Sequence, residues 1–571
     1  MLYSDSYYTN AWANRSSYQE LYKKSIENPE QFWATQVNCI YWKTKPTDIY
    51  KEKKWLLNGK SNLYYNCVAR HAINNPHKTA FISYSDTPSV RETITYQELD
   101  ILIKQIVSLL KNNGIKKGDV VAIFMPVKII SIATILACAY IGALHMVVFS
   151  GFSADVLAWR IKSSGAKLLI SLRTMARGGK CIEISKIIDN VKLQLGNNMP
   201  TIIYMDEFRK EAINFDNDKT HEIEWLDNQD EAFILYTSGT SGKFKGVVHA
   251  TLPYMLYLSS TFRTIFAPHP DDIYFCTSDI GWITGHSYLI YAPLFCGLTS
   301  VIFDGTPIYP SPDRYWSIIE NEKVNIFYTA PTAIRFLKAY GDEHVIKHDL
   351  STLRVLASVG EPIDNSAWHW YFDVIGHKHC PIIDTWWQTE TGGIVLAPLR
   401  NLNQQPGVAG NPFFGVDTAV VDGQLVIRNE WPGKYKRIIE QSRGNDLYQS
   451  GDSAEILNRE IKITGRVDDI INVSGHRLCT TDFEKALSSM PEIVESATVA
   501  IPHEITGQAT VIFVVLVPGE HQGMNNRIQN QIRRTIGSIA KPAKIIYLNS
   551  LPKTSTGKIE RYKLRRLALE S

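Results

Sequence analysis

The chain has 571 residues, 44% hydrophobic and 20% charged, with 60 Lys and Arg against 57 Asp and Glu. A formal charge of +3 gives no ground for nucleic-acid binding, and the length predicts roughly two to four folding units. Eight cysteines (Cys39, Cys67, Cys138, Cys181, Cys276, Cys296, Cys380, Cys479) form no CxxC pair, and the start Met1-Leu2-Tyr3-Ser4-Asp5 has no secretory pattern, so reduced thiols in the cytoplasm are expected.

In chain order, Thr95-Tyr96-Gln97-Glu98 reads as a capping box. It opens a helix whose inner face carries Leu99, Leu102, Ile103, Ile106, Leu109 and Leu110, with Gly114 positioned to end it. Residues 129–144 are apolar but short for a membrane span and flanked by Lys128 and His145, which points to a buried helix. Short apolar runs at 120–125, 168–170, 201–205, 232–236, 273–276, 300–303, 325–328, 353–356 and 381–383 read as strands. Alternation with helices predicts an α/β chain with a largely parallel sheet covered on both faces, with ligands at loops leaving the strands. The texture changes over 448–462, and 469–571 carries its own strand signals at 498–501 and 511–517 and a helix signal at 527–536.

The run Tyr236-Thr237-Ser238-Gly239-Thr240-Ser241-Gly242-Lys243-Phe244-Lys245-Gly246 gathers hydroxyls, glycines and lysines directly after a strand signal. Glycines let backbone N–H groups converge on oxygens, hydroxyls donate further, and lysines balance phosphate charge. It is not a Walker A loop, because Phe244 follows Gly242-Lys243 where Ser or Thr is required. Taken alone, it also fits a surface turn. Downstream, Asp384-Thr385-Trp386-Trp387-Gln388-Thr389-Glu390-Thr391-Gly392 fits either a Mg²⁺ site near a nucleotide or a strand-end turn with core tryptophans.

With Ser358-Val359-Gly360-Glu361-Pro362, Tyr448-Gln449-Ser450-Gly451-Asp452 and Ile463-Thr464-Gly465-Arg466-Val467-Asp468-Asp469, these segments resemble, in order, the motifs of the adenylate-forming superfamily of acyl-CoA synthetases, luciferases and peptide-synthetase adenylation domains. The resemblance spans nearly the whole chain. It is nearest to the acetyl-CoA synthetase branch through Cys276-Thr277-Ser278-Asp279-Ile280-Gly281-Trp282-Ile283-Thr284-Gly285-His286-Ser287-Tyr288 and Val473-Ser474-Gly475-His476-Arg477-Leu478. It implies a large domain over 1–467 of stacked mixed and parallel sheets covered by helices, with a family extension inside 1–90, and a small mobile α+β domain over 468–571. Residues 18–33 resemble the family's N-terminal helix and are expected to pack rather than react.

The implied substrates are acetate, ATP and coenzyme A, with Mg²⁺ as cofactor. Carboxylate attacks the ATP α-phosphorus to give acyl-adenylate and pyrophosphate, and the CoA thiol then displaces AMP. By resemblance Thr237, Ser238, Gly239, Thr240, Ser241, Gly242 and Lys243 cradle phosphate, and Thr389 touches the α-phosphate. Gly360, Glu361, Pro362 and Asp384 frame adenine within a nucleotide site that includes Thr385, Trp386, Trp387 and Gln388. Asp452 and Arg466 hold ribose, a role that suits a carboxylate's two acceptor oxygens. Arg477 meets phosphate, Glu390 supports Mg²⁺, and Lys558 in Pro552-Lys553-Thr554-Ser555-Thr556-Gly557-Lys558 is the catalytic lysine of adenylation. Asp468 is the hinge, Gly475 leaves room for pantetheine, and Arg177, Lys180 and Arg533 meet CoA phosphates. Ile283, Thr284, Val359 and Trp387 line the acyl pocket, where the tryptophan blocks longer chains and favours acetate over propionate.

In some members a lysine acyltransferase silences the lysine that Lys558 matches, and a deacylase is the corresponding partner. The rival readings are a propionyl-CoA or other short-chain synthetase, an enzyme loading a carrier protein, and a nucleotide-binding regulator without turnover. Phe244 stands where proline is usual, Cys479 where glycine is, Lys180 where arginine is and Ile283 where valine is commoner, and 433–447 is shortened.

Overall fold

A computed structural model describes residues 6–570 apart from 207, 209–220, 239–243, 401–403, 440–446, 467–469, 474–475, 518, 520–521, 553–558 and 560. The N-terminal segment forms helices Ser6–Ala11, Arg15–Glu27 and Pro29–Gln36. The single helix expected over 18–33 is therefore broken. Pro29 opens the third helix as its first residue, where a missing N–H costs nothing, and could not have continued the second.

The helix Tyr96–Asn112 keeps both halves of its capping box and buries Leu99, Ile103, Ile106 and Leu110, and Gly114 follows it at φ 76°. Residues Ile129–Ile141 form a helix buried along almost its whole length, closed by Gly142 in the left-handed region. Among the described residues no helix is long and apolar enough to cross a membrane.

Two seven-stranded sheets make the body of the fold. The first runs Thr201–Tyr204, Leu168–Ser171, Val120–Phe124, Leu144–Val147, Glu231–Ser238, Phe244–Ala250 and Arg437–Ile438. It is parallel up to Glu231–Ser238 and antiparallel beyond. The second runs Ile382–Thr385, Val355–Val359, Ile326–Thr329, Ile273–Cys276, Thr299–Asp304, Thr79–Ser85 and Arg91–Thr95, parallel except for its last pair. Their inner strands, such as Val120–Phe124, Ile326–Thr329 and Val355–Val359, are buried on both faces, as parallel strands covered by helices are. A six-stranded antiparallel sheet follows, and the stretch read as a change of texture is its central hairpin, Tyr448–Leu457 with Glu460–Arg466.

From Ile470 onward the chain builds a separate sheet. Hairpin Ile470–Val473 and His476–Cys479 joins Gly507–Leu516, which pairs with Ile493–His503 and Lys544–Tyr547. Helices Thr480–Ser488 and Met524–Thr535 close one apolar core around Phe483, Ile512 and Ile532. The chain is thus an α/β protein with a large N-terminal and a small C-terminal unit. The two meet where Phe152 bridges Gly537, where Ser153 Oγ donates to the Thr535 carbonyl at 3.3 Å, and where Arg335 Nε donates to the Ile505 carbonyl at 3.0 Å.

Candidate active site

Strands Val355–Val359 and Ile382–Thr385 point their C-terminal ends into a cavity of about 820 Å³, where ligands of open α/β sheets bind. Gly360, Glu361, Pro362, Asp384, Thr385, Trp386, Trp387, Gln388 and Asp452 all line it, so residues up to 92 positions apart in the sequence share one wall. Gly360 turns out of its strand at φ 101°, a conformation only glycine takes without strain.

The cavity walls are held by a polar network. Asp384 accepts from Ser358 Oγ at 2.6 Å, and burial nevertheless pushes its carboxyl up to about 7. Burial also raises the Glu361 carboxyl, opposed by its ion pair with Arg335 and by Thr332 Oγ1, which donates to it at 2.5 Å. Asp452 Oδ2 accepts from Trp386 Nε1 at 2.9 Å and from Gln388 Nε2 at 2.8 Å. The same Gln388 amide donates to the Ser450 carbonyl, tying the Trp386–Gln388 loop to the strand that carries Asp452.

A second cavity of about 130 Å³ shares Gly360, Trp387 and Gln388 with the first. Ile283, Thr284, Val359 and Trp387 line it together, as does Thr237 at the end of its strand. The Trp387 indole is fixed by Nε1 donating to Tyr328 Oη at 3.3 Å and by an edge contact with Tyr288, ring centroids 4.9 Å apart. Phe152, Leu478, Ile536 and Ile539 also line this cavity, so it is bounded by both domains.

Thr389 lines this cavity as well, with Glu390 next in the chain. His249 Nε2 donates to the Thr389 carbonyl at 2.7 Å, and burial holds this imidazole neutral by pushing it down to about 4. Glu390 Oε1 accepts a long bond from Thr237 Oγ1 at 3.5 Å, while Oε2 is buried with no partner among the described residues. A buried, uncompensated carboxylate oxygen is costly. It fits Mg²⁺, which takes one or two carboxylates and completes its shell with phosphate oxygens and water. No group of three or more His, Cys, Asp or Glu capable of holding a metal occurs among the described residues.

Gly239, Thr240, Ser241, Gly242 and Lys243, expected to cradle phosphate, Asp468, expected as the hinge, Gly475 and Lys558 lie outside the described residues. Ser238, Arg466 and Arg477 are described in their backbones only, with Arg466 opposite Asp452 in the strand pair. Arg177 and Lys180 face each other across an exposed hairpin, and Arg533 is exposed on the helix Met524–Thr535; none of the three lines either cavity. Sequence reasoning gave no role to Arg335, Tyr328, Phe152 or Asp279. Asp279 lies inside a quoted motif; it caps its own turn by accepting from Gly281 N at 2.7 Å, and burial pushes its carboxyl up to about 6 against the field of Arg177.

A nucleotide-sized cavity opening onto an acyl-sized one at the edge of a parallel sheet, roofed by a small second domain, defines an adenylate-forming enzyme. Residues 68–433 match the family model for AMP-binding enzymes, 482–558 that for the AMP-binding enzyme C-terminal domain, and 18–67 that for the acetyl-coenzyme A synthetase N-terminus. The chain belongs to the AMP-binding enzyme family, among its acetyl-coenzyme A synthetases. It is 40% identical to the acetyl-coenzyme A synthetase of Xanthobacter autotrophicus over 98% of this chain and 92% of the relative. It is 41% identical to the one of Bdellovibrio bacteriovorus over 98% and 93%, and 41% identical to the one of Salmonella typhi over 97% and 92%.

Proposed function

We propose that this protein activates acetate with ATP to acetyl-adenylate and pyrophosphate, and then transfers the acetyl group to coenzyme A with release of AMP. The observation that carries the reading is the Trp387 indole, clamped by Tyr328 and Tyr288, closing a cavity of about 130 Å³ directly beside the nucleotide cavity. The clamped ring forms one wall of that cavity, so a longer acyl chain would press against a side chain that cannot easily give way.

The chain's own residues act by positioning and electrostatics. Gly360, Glu361, Pro362 and Asp384 seat the adenine, and Asp452 and Arg466 take the ribose hydroxyls. Thr237 with the loop 238–243 holds phosphate oxygens, joined by Arg477, and Thr389 orients the α-phosphate. Glu390 would hold Mg²⁺, which neutralises pyrophosphate charge when bound. Lys558 neutralises charge growing on the α-phosphoryl group as acetate attacks. Arg177 and Lys180, exposed on a hairpin of the large domain, and Arg533, exposed on a helix of the small one, take CoA phosphates.

The domain boundary falls at 467/468 with Asp468 as hinge, a reading supported by the independent sheet that begins at Ile470. The arrangement described is read as the thioester-forming one. Leu478, Ile536 and Ile539 of the small domain border the acyl cavity, and Ile559, next to Lys558, lines a separate surface pocket with Glu484, Val494 and Ser496. We further assign a cytoplasmic location and Lys558 as a target for a lysine acyltransferase and deacylase.

Carboxylate-dependent exchange of labelled pyrophosphate into ATP tests the reading. Exchange should be strongest with acetate, weaker with propionate and poor with butyrate, and Lys558→Ala should abolish it. Wild-type protein that binds ATP but exchanges with no acid would overturn the assignment.

A further inference from the structure

Arg335 is on the helix Pro331–Lys338, 8% exposed, and its guanidinium joins three separate pieces of chain. Nη2 pairs with Glu361 and donates to Thr332 Oγ1 at 3.2 Å, Nη1 donates to Asp364 Oδ2 at 3.1 Å, and Nε crosses to the Ile505 carbonyl of the small domain at 3.0 Å. Glu361 lies within the loop read as framing the adenine, and Asp364 follows just after it. One rigid fork therefore grips both that loop and a turn of the other domain, a geometry a lysine cannot reproduce.

The turn it grips is itself stiff. The backbone N–H groups of Ile505 and Thr506 both donate to His503 Nδ1, at 3.3 and 3.2 Å. Gly507 closes the turn at φ 76°, and a Cβ there would lie 2.2 Å from Glu361 Oε2 and 2.8 Å from Arg335 Nη2, so the two domains touch here at backbone distance. Gly507 is also the residue through which the strand Gly507–Leu516 pairs with Val473, and Gln508 Oε1 accepts from Asn472 N at 2.8 Å. The turn is thus locked to the hairpin Ile470–Val473 and His476–Cys479, whose second strand packs against Glu231–Ser238 at the acyl cavity.

We propose that Arg335 is a positioning residue for the CoA half-reaction. By holding the 503–507 turn on the adenine loop, it fixes through Val473 the hairpin that borders the acyl cavity. The Ile505 bond belongs to the domain arrangement described, and on the reading above adenylation takes place in another arrangement and would not use it. This inference rests on the acetate-activation reading above.

The test separates the half-reactions. Acetate-dependent pyrophosphate exchange reports the first, and rapid-quench formation of acetyl-CoA from preformed enzyme-bound acetyl-adenylate reports the second. Gly507→Asn, whose side chain tolerates the left-handed backbone but fills the contact, is expected to slow the second step by about tenfold or more while exchange stays within about threefold, and Arg335→Lys, which keeps a cation beside Glu361 but loses the fork, should slow the second step by at least about threefold more than it slows exchange. The double variant should be no slower than the worse single one, because both changes break one contact. Equal loss in both half-reactions, no loss in either, or additive losses would overturn the inference while leaving acetate activation intact. Absence of exchange in the wild type would instead overturn the functional reading and the inference with it.

Discussion

Thr237 and Glu390 lie 153 residues apart in sequence, yet Thr237 Oγ1 is 3.5 Å from Glu390 Oε1 where the phosphate-loop strand meets the loop after Ile382–Thr385. The other carboxylate oxygen is buried and has no partner among the described residues. A carboxylate with so few partners among the described residues is suited to hold an external cation. Glu390→Gln is expected to lower pyrophosphate exchange by about tenfold or more and to raise the Mg²⁺ concentration for half-maximal rate. Its melting temperature should match or exceed that of the wild type, because the substitution removes a buried charge with one long hydrogen bond. A Mg²⁺ titration alongside thermal melts reads both effects, and an unchanged Mg²⁺ requirement would exclude Glu390 from the metal site.

Trp387 sets chain length by volume. Trp387→Ala removes the ring that Tyr288 and Tyr328 clamp. The acid preference in exchange should then move from acetate toward butyrate by about 10- to 100-fold in relative kcat/KM. The void costs roughly 3–5 kcal/mol of stability, measurable in urea. A variant that stays folded and keeps acetate preference would place the specificity elsewhere.

Asp384 makes stability depend on pH. Burial raises its folded pKa to about 7, with Glu361 repelling its charge and Ser358 and the Ile363 N–H stabilising it. An unfolded aspartate ionises near about 4. Between these values the folded protein keeps a proton that the unfolded chain has released. The group's contribution is therefore complete below about pH 4 and declines as pH rises toward 7. Asp384→Asn keeps an acceptor for Ser358 and abolishes the titration. Urea unfolding from pH 5 to 8 should show a flatter profile in the variant, by at most about 1.4 kcal/mol per pH unit. Asp279, pushed up to about 6 by burial, leaves a residual slope in the same direction.

Strands such as Ile273–Cys276 were legible because both faces are covered, so the sequence shows an unbroken apolar run. The cavity walls were legible because Gly360–Pro362 and Asp384–Gln388 directly follow such strands and carry a distinctive composition. The hairpin Tyr448–Leu457 with Glu460–Arg466 read only as a change of texture, since its exposed outer end from Glu455 to Leu457 interrupts the alternation. Arg335 carried no signal at all. Its partners Glu361 and Ile505 lie 26 and 170 residues away, and an arginine in an amphipathic helix normally serves solvent. Tyr328 was legible as a strand residue, but only the fold brings its hydroxyl to Trp387.

The N-terminal helices are structural, and this too can be measured. Trp33 is fully buried, stacked edge-on against Trp55 with ring centroids 5.9 Å apart and in contact with Phe32 and Tyr257. Gly415 lies so close that a Cβ would meet Trp33 Nε1 at 2.7 Å, and its φ of 76° already demands glycine. Tyr257 in turn donates to the Ile394 carbonyl, just past the Glu390 loop, so the extension braces the wall behind the site without touching it. Trp33→Ala is expected to cost about 3–5 kcal/mol and Gly415→Ala at least about 1 kcal/mol, from strain and overpacking. For both, KM for ATP and acetate should match the wild type at a temperature where the variant remains folded. A selective rise in either KM at full folding would show that the N-terminal segment shapes the substrate site directly.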